Sequence, residues 1–594
     1  MPHAHVLTPL GGNTRHAYGA GRVANVLRFS ALLLFSLLLA ACSSVDRGVP
    51  FVPPAQRQAS PATLAWPTNH YLALAYHDVE DENPDQTFVS VGTTHLQEQF
   101  AWLHANGYQP VSVDQIFAAA DGGPALPSRA VLLSFDDGYR SFYERVYPLL
   151  RAYDWPAVLA PVGVWVDPPD NGGTVSFGGK PVPREKFLTW GQITEMAASG
   201  LVEVAAHTNN LHYGITANPQ GNQQPAAAAR RYDPATGRYE NDAEFSVRIR
   251  DDVRAISQKI TQATGKAPRV WVWPYGTTSG MAASIIQSEG YRLLLTLDDG
   301  LASMQQMDRA PRLLVSNDPA LTGFANAVVA QERPEVMRGV HVRLADLYDP
   351  DPAKTDENLG ALVQRIADLQ ITTVFLEAAD AATPDNTQPA VYFPNSQRPV
   401  RADLFNRVAW QLRSRAFVDV YAYLPQPTNT ALYEDLARYA IFAGLALDDS
   451  ASNPTADQAL RDHDIIQRVK AIRGQDTRVA RVLKVDDGAT AEHMQRRLDL
   501  ALASADWVLL APSRQTDTLQ LNVLADAVQR SAAPSRAAIT LSAGTDDTLL
   551  AGQMKHLQTR GVRSYTYRTD DHNPDTPRLS VIRPVLSNAW YPFK

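Results

Sequence analysis

The chain has 594 residues, too many for one ordinary core, and 45% of them are hydrophobic, enough to fold two domains. Its formal net charge of −8 argues against a phosphate-binding surface, so no nucleic-acid partner is expected. That sign fits a neutral or cationic partner.

The first feature in the chain is a leader. After Arg22 and Arg28, Phe29 to Ala41 form an apolar block too short to span a bilayer comfortably. It closes with Leu39-Ala40-Ala41-Cys42, which resembles the bacterial lipobox, where cleavage leaves the cysteine as a lipid-carrying N-terminus. An ordinary signal peptide or a short anchor is the alternative. Cys42 is the single cysteine of the chain, which favours lipidation and excludes an intrachain disulfide. Ser43 and not Asp follows it, which by the usual sorting pattern implies anchoring at the periplasmic face of the outer membrane. Residues 43–65, rich in Pro, Ser, Ala and Gln, read as a linker.

From residue 66 strands and helices alternate. The pattern predicts strand Tyr71 to Tyr76 running into His77-Asp78-Val79-Glu80, then an amphipathic helix from Leu96 to Asn106 stopped by Gly107. Strand Ala130 to Phe135, helix Tyr139 to Arg151, strand Ala157 to Pro161, helix Trp190 to Ser199 and strand Val202 to Ala206 follow. A polar stretch from about Gly214 to Asn241 has too few apolar residues for a core element and is expected to be a surface loop. Beyond it come a helix to Thr264, strand Arg269 to Trp273, a helix ending at Gly290 and strand Arg292 to Leu297. Repeated βα units imply a parallel sheet, and this many suggest a closed or nearly closed barrel.

The stretch Val131-Leu132-Leu133-Ser134-Phe135-Asp136-Asp137-Gly138 sets two adjacent carboxylates at the end of a buried strand, a costly arrangement unless a cation meets them. A partner is offered by Ala206-His207-Thr208-Asn209-Asn210-Leu211-His212. Residues five apart share a face on neither helix nor strand, so His207 and His212 converge only if the chain bends at Thr208-Asn209-Asn210. One Asp and two His around a divalent metal leave positions for a water, which the metal acidifies, while the other Asp stays free as a base. An isolated H-x-x-x-x-H reads more readily as two surface histidines, and the acidic pair reverses that preference. His77, Asp136, Asp137, His207 and the turn Trp273-Pro274-Tyr275-Gly276 all fall at carboxyl ends of predicted strands, where such barrels carry their reacting groups.

Ser134 to Gly138, His207 to His212 and Trp273 to Gly276 resemble the motifs of the NodB-homology polysaccharide deacetylases, carbohydrate esterase family four. The run from Tyr76-His77-Asp78-Val79-Glu80-Asp81 to Pro311-Arg312 more closely resembles the deacetylase domain of the periplasmic poly-β-1,6-N-acetylglucosamine N-deacetylases of the PgaB type. That likeness extends to Ile582-Arg583-Pro584 and Ala589-Trp590-Tyr591-Pro592. It implies metal-dependent partial N-deacetylation of the polymer during biofilm exopolysaccharide export, with an outer-membrane porin as partner. Asp137, His207 and His212 would ligate the metal, and Asp136 would be the general base. The backbone N–H of Tyr275, in the turn it shares with Trp273 and Pro274, would stabilise the oxyanion. His77 would protonate the departing amine. A helix N-cap is the alternative for Asp136 and a hydrogen-bonded strand-end histidine that for His77. Zinc, iron, cobalt and nickel all suit such ligands. Where many relatives carry an arginine before the Pro-Tyr-Gly turn this chain has Val272-Trp273, so a cation tuning Asp136 is expected from elsewhere. Asp298-Asp299 either line the groove or are solvated turn residues.

From about Gln331 the rhythm resumes, with strands Val340 to Leu344, Thr373 to Leu376, Asp419 to Tyr423, Gly444 to Leu447 and Trp507 to Leu510. Helices such as Lys354 to Leu369 and Ala402 to Arg415 lie between them. The fold class expected is therefore α/β, with two β/α barrel-like domains. The first, 66–330, would be a distorted polysaccharide-deacetylase barrel, and the second, 331–594, a TIM-barrel-like, glycoside hydrolase-type domain. The resemblance implies that this second domain binds, and in several relatives cleaves, the partly deacetylated polymer. Arg343 and Ala345 stand where relatives carry acids, and Asp448-Asp449 lack the histidine expected before them. Glycoside cleavage needs two carboxyls; Asp448 or Asp449 offers one, and no second is evident. A polymer-binding module is thus weighed against a hydrolase, and an export scaffold with a decayed site is the non-enzyme rival.

Overall fold

The computed structural model describes residues 66–168, 173–381, 388–424, 430–449, 456–486, 488–512, 516–544, 546–569 and 577–589. The leader, Cys42, the 43–65 linker and Trp590-Tyr591-Pro592 lie outside them. The first half is organised by strand β1 (His70–Tyr76), which pairs in parallel with β2 (Ala130–Asp137) from Tyr71 opposite Ala130 to Tyr76 opposite Phe135. β2 pairs with β3 (Ala157–Pro161), and β3 with β4 (Val202–Val204), all in parallel. The ring continues through one bridge, Ala206 to Trp271, into β5 (Val270–Val272) and its partner β6 (Leu293–Leu295). Leu295 bridges to Ala310, and Leu313–Leu314 returns to β1. Two seams held by single bridges make this a distorted barrel.

Burial follows the two-residue alternation of a strand. Leu72, Leu74, Tyr76, Leu133 and Phe135 pack into a core with the surrounding helices. Ala73, Leu132, Val158, Ala160, Val272 and Leu295 form a separate core with Ile116 and Phe117 of helix Val113–Ala120. Sheets covered on both faces read as continuous apolar runs, which is why these strands were evident in the sequence.

Three expectations change. β2 runs two residues beyond Phe135, because Asp136 and Asp137 keep their pairing with Ala160 and Pro161. The helix expected from Tyr139 to Arg151 is instead a π-turn, Phe142–Val146, followed by helix Tyr147–Tyr153, with Pro148 near the start of the latter. A proline there has no N–H to continue the ladder. The 214–241 stretch is not a surface loop. It forms two hairpins, Gly214–Thr216 with Gln223–Pro225 and Tyr232–Asp233 with Arg238–Tyr239. Ile215, Ala217, Asn218, Gln224 and Ala226 through Ala229 are buried. Alanines and paired amides take the place of large apolar residues: Gln224 Nε2 donates to Asn406 Oδ1 at 3.0 Å, so this polar segment packs against the second half of the chain.

That second half is a closed parallel barrel of eight strands. They are β7 (Arg338–Arg343), β8 (Thr373–Glu377), β9 (Asp419–Tyr423), β10 (Gly444–Asp449), β11 (Arg478–Val485), β12 (Trp507–Pro512), β13 (Ala537–Ala543) and β14 (Tyr565–Thr569). β14 pairs back onto β7. Phe375, Tyr421, Trp507 and Leu509, interleaved with Ala446, Ala480 and Ala538, fill its interior. Helix Gly280–Ser288 of the first half packs against helix Ala456–Arg473, so closely that a Cβ on Gly280 would meet the Ala471 and Lys470 carbonyl oxygens at 2.5 and 2.6 Å. Among the described residues, no helix is long and apolar enough to cross a membrane.

Candidate active site

Three loops at the carboxyl ends of first-half strands meet at one point. Each turns on a non-glycine residue in the left-handed region: Asp137 at φ 70°, Thr208 at 74° and Tyr275 at 56°. Such conformations cost about 1–3 kcal/mol apiece and gather where geometry is functional. Gly138 follows Asp137 at φ 78°, where a Cβ would also lie 2.9 Å from that of Pro161.

The bend between the two histidines is made by a residue far along the chain. Asp252, on helix Asp242–Thr264, accepts from the Asn209 and Asn210 amides at 2.8 and 2.6 Å. Thr208 Oγ1 accepts from the Leu211 amide at 3.2 Å. Both rings are thereby turned onto Asp137, with His207 Nε2 at 3.4 Å and His212 Nε2 at 3.3 Å from Asp137 Oδ1. Ligand atoms each about 2.1 Å from one ion at the corners of a tetrahedron stand roughly 3.4 Å apart, so the three fit a divalent metal. Asp137 Oδ1 is buried with no hydrogen bond among the described residues, as expected of an atom reserved for a cation. His207 Nδ1 lies 2.9 Å from the Val272 carbonyl oxygen; a carbonyl only accepts, so a proton sits on Nδ1 and Nε2 is the atom turned to Asp137. Burial pushes this ring down, and Asp137 and Asp136 more than reverse it, raising it in the absence of a metal. Burial pushes His212 down to about 4, against the opposing pull of Asp137, which keeps it neutral as a ligand must be.

Asp136 points to different neighbours. Arg312, fully buried, donates to both its oxygens, at 2.8 and 3.0 Å, and is itself fixed by Ser134 Oγ and the Thr296 carbonyl. Burial pushes the Asp136 carboxyl up, and Arg312, His207 and His77 more than reverse this, holding it below the usual carboxylate range. Asp136 does not cap the segment that follows, which opens with Ser141 at the N-cap of Phe142–Val146 and no side-chain cap bond. Arg312 is the cation the sequence left unassigned. Its only signal was its place in the Pro311-Arg312 pair; the ion pair spans 176 positions and no local pattern marks it. His77 Nε2 stands 4.0 Å from Asp136 Oδ2, and its buried Nδ1 has no hydrogen-bond partner among the described residues, contrary to a merely structural strand-end histidine.

Tyr275 is half exposed, its ring 4.5 Å from that of His212, with Trp165 at 4.8 Å from the same imidazole. Trp273 and Pro274 are buried under the turn and shape it. Asp298 and Asp299 stand outside this cluster, accepting from Thr296 and Gln331.

At the mouth of the second barrel, Asp448 accepts from Tyr423 Oη at 2.7 Å and lies 3.6 Å from Lys484 Nζ. Asp449 ends β10 beside it; its side chain is outside the described set. Glu377 closes β8, in register between Arg343 and Tyr423. Burial pushes its carboxyl up to about 7, Arg343 opposes, and Asp346 and Asp448 add to the rise. It is a carboxyl near Asp448 that the sequence reading passed over, one residue past the predicted end of its strand. In place of the acids expected on β7, Arg343 is paired to Asp346 at 2.9 Å.

Comparison with known proteins gives the family. A polysaccharide deacetylase family model matches residues 123–294, and one described as hypothetical glycosyl hydrolase family 13 matches residues 341–429. The chain is 36% identical to the poly-beta-1,6-N-acetyl-D-glucosamine N-deacetylase of Escherichia coli strain K12, over 95% of this chain and 99% of that protein. Among solved structures, the BpsB deacetylase domain of Bordetella bronchiseptica is 41% identical, covering 42% of this chain and 96% of that one, TM-score 0.39. The PgaB (BpsB) glycoside hydrolase domain of the same organism is 26% identical over 43% of this chain and 99% of that one, TM-score 0.37. The chain therefore belongs to the poly-β-1,6-N-acetyl-D-glucosamine N-deacetylase family and is a polysaccharide N-deacetylase.

Proposed function

We propose that the chain removes acetyl groups from part of the residues of poly-β-1,6-N-acetyl-D-glucosamine in a metal-dependent reaction, while the polymer is exported to a biofilm. The observation that carries this is the approach of Asp137 Oδ1 to His207 Nε2 and His212 Nε2 beside a second aspartate held apart by Arg312. A zinc, iron, cobalt or nickel ion in that triad would supply an acidified water and polarise the acetamido carbonyl. Asp136, kept ionised by Arg312, takes the proton of the attacking water. The Tyr275 amide donates to the carbonyl oxygen as charge builds on it. His77 delivers a proton to the nitrogen as the C–N bond breaks, so that acetate and a protonated amine leave instead of an amine anion.

In this reading residues 66–330 are the deacetylase and residues 331–594 hold the polymer. Cys42 carries a lipid that anchors the chain to the periplasmic face of the outer membrane, next to an export porin. The lipobox-like Leu39-Ala40-Ala41-Cys42 supports the anchor. A second reading, glycoside cleavage by the second barrel, is favoured by Glu377 beside Asp448, two carboxyls that burial pushes up, Asp448 against the opposing hydrogen bond from Tyr423. Product length after incubation with deacetylated oligomer separates cleavage from binding.

Acetate release from a defined β-1,6-linked N-acetylglucosamine oligomer, with and without chelator, tests the main reading. Release that stops on chelation and returns with metal is expected. Undiminished release after chelation contradicts metal dependence, and no release from the metal-loaded protein contradicts the substrate.

A further inference from the structure

A carboxylate can meet a cation through one oxygen or both, and the choice sets how many positions remain for water and substrate. In this chain a side chain two residues after Asp137 already holds one of its oxygens. Gly138, at φ 78°, turns the backbone so that Tyr139 folds back, and Tyr139 Oη donates to Asp137 Oδ2 at 2.9 Å. The other oxygen, Oδ1, is the one that faces both histidines, at 3.3 and 3.4 Å.

The hydroxyl is held in place by a segment that supplies no ligand. Tyr139 is 1% exposed, its ring stacked on Phe187 at 5.3 Å and 23°, with Phe88 edge-on at 6.0 Å and the Lys186 ammonium 5.9 Å from its centre. Its backbone bridges to Phe187, and the Leu188 amide donates to the Gly138 carbonyl at 2.9 Å. Lys186 is fixed in turn by Asp78 and Glu80, at 2.6 and 2.5 Å. Residues 186–188 thus grip the turn after Asp137.

We propose that Tyr139 is a positioning residue that occupies Asp137 Oδ2 and so restricts Asp137 to one-oxygen coordination of the metal. The proposal rests on the reading that Asp137, His207 and His212 form the metal site. Partners that orient a ligand in this way commonly account for 10–100-fold in metal affinity.

The test is Tyr139→Phe, which keeps the ring and its stacking and removes the hydroxyl. Cobalt(II) affinity by competition with a chelating dye is expected to fall 10–100-fold, with a changed visible spectrum of the bound cobalt, while the metal-free protein still melts in a cooperative transition. An affinity within twofold of wild type and an identical spectrum overturn the proposal. X-ray absorption of cobalt-loaded wild type gives an answer that does not depend on the variant folding: one short Asp oxygen bond supports the proposal, and two equal ones overturn it. A wild type that binds no cobalt removes the metal-site reading itself and this inference with it.

Discussion

Asp136 and Asp137 are neighbours at one strand end with opposite assignments. Asp137 leaves one oxygen bare toward two imidazoles, whereas Asp136 has both oxygens on Arg312. Replacing Asp136 with Asn is expected to lower acetate release about 10²–10⁴-fold while cobalt binding persists; unchanged turnover removes the base assignment. Replacing Arg312 with Met leaves a buried carboxylate without its cation, which costs about 3–5 kcal/mol, read by chemical denaturation. A loss under 1 kcal/mol would contradict the pairing. Asp137, His207 and His212 were legible in the sequence because each sits in a short motif whose chemistry is local. Arg312 and Asp252 were not, because their partners lie 176 and about 43 positions away.

At the scale of elements, helix Asp242–Thr264 matters for one residue on its buried face. Asp252 pins the loop that carries both histidines, and burial pushes its carboxyl up to about 6, against the donated amides of Asn209 and Asn210. The folded carboxyl therefore keeps a proton that the unfolded chain has already released between about pH 4 and pH 6. Stability contributed by that proton is present at the acidic end and is lost as pH rises through the window, by up to about 3 kcal/mol. Asp252→Asn has no such slope. Denaturation at pH 4.5 and 7 should show the variant gaining on wild type as pH rises, and parallel behaviour would contradict the assignment. The 214–241 hairpins show where periodicity misleads. Their burial comes from Ala226 to Ala229 and the Gln224–Asn406 pair, and its other wall belongs to a barrel some 180 residues on. A window of sequence that lacks large apolar residues does not reveal a surface it will meet later.

Across the whole molecule, residues from Trp66 onward form one compact unit. Its two barrels meet at Gln224–Asn406, Tyr239–Asp403, Thr278–Asp476 and the Gly280 contact. We expect one calorimetric unfolding transition for this unit. Gly280→Ala, whose methyl would press on two carbonyl oxygens, should destabilise by about 1–3 kcal/mol and separate the transition in two. A variant that melts as wild type would show that the halves fold without this contact. Both barrels were readable from the alternating βα order, because buried parallel strands announce themselves as apolar runs, although strands Arg478–Val485, Ala537–Ala543 and Tyr565–Thr569 were not among those read. That the first barrel would be distorted was expected, but not where, since its seams depend on single bridges at Ala206 and Leu295 that no propensity encodes.

The central claim is that three side chains from two strand ends enclose a cation while Asp136 stays off it. Anomalous diffraction from crystals grown with cobalt measures this directly. One peak about 2.0–2.2 Å from Asp137 Oδ1, His207 Nε2 and His212 Nε2, with the Asp136 carboxylate still on Arg312, is the predicted result. A peak bonded to Asp136, or none near the three atoms, would contradict the account.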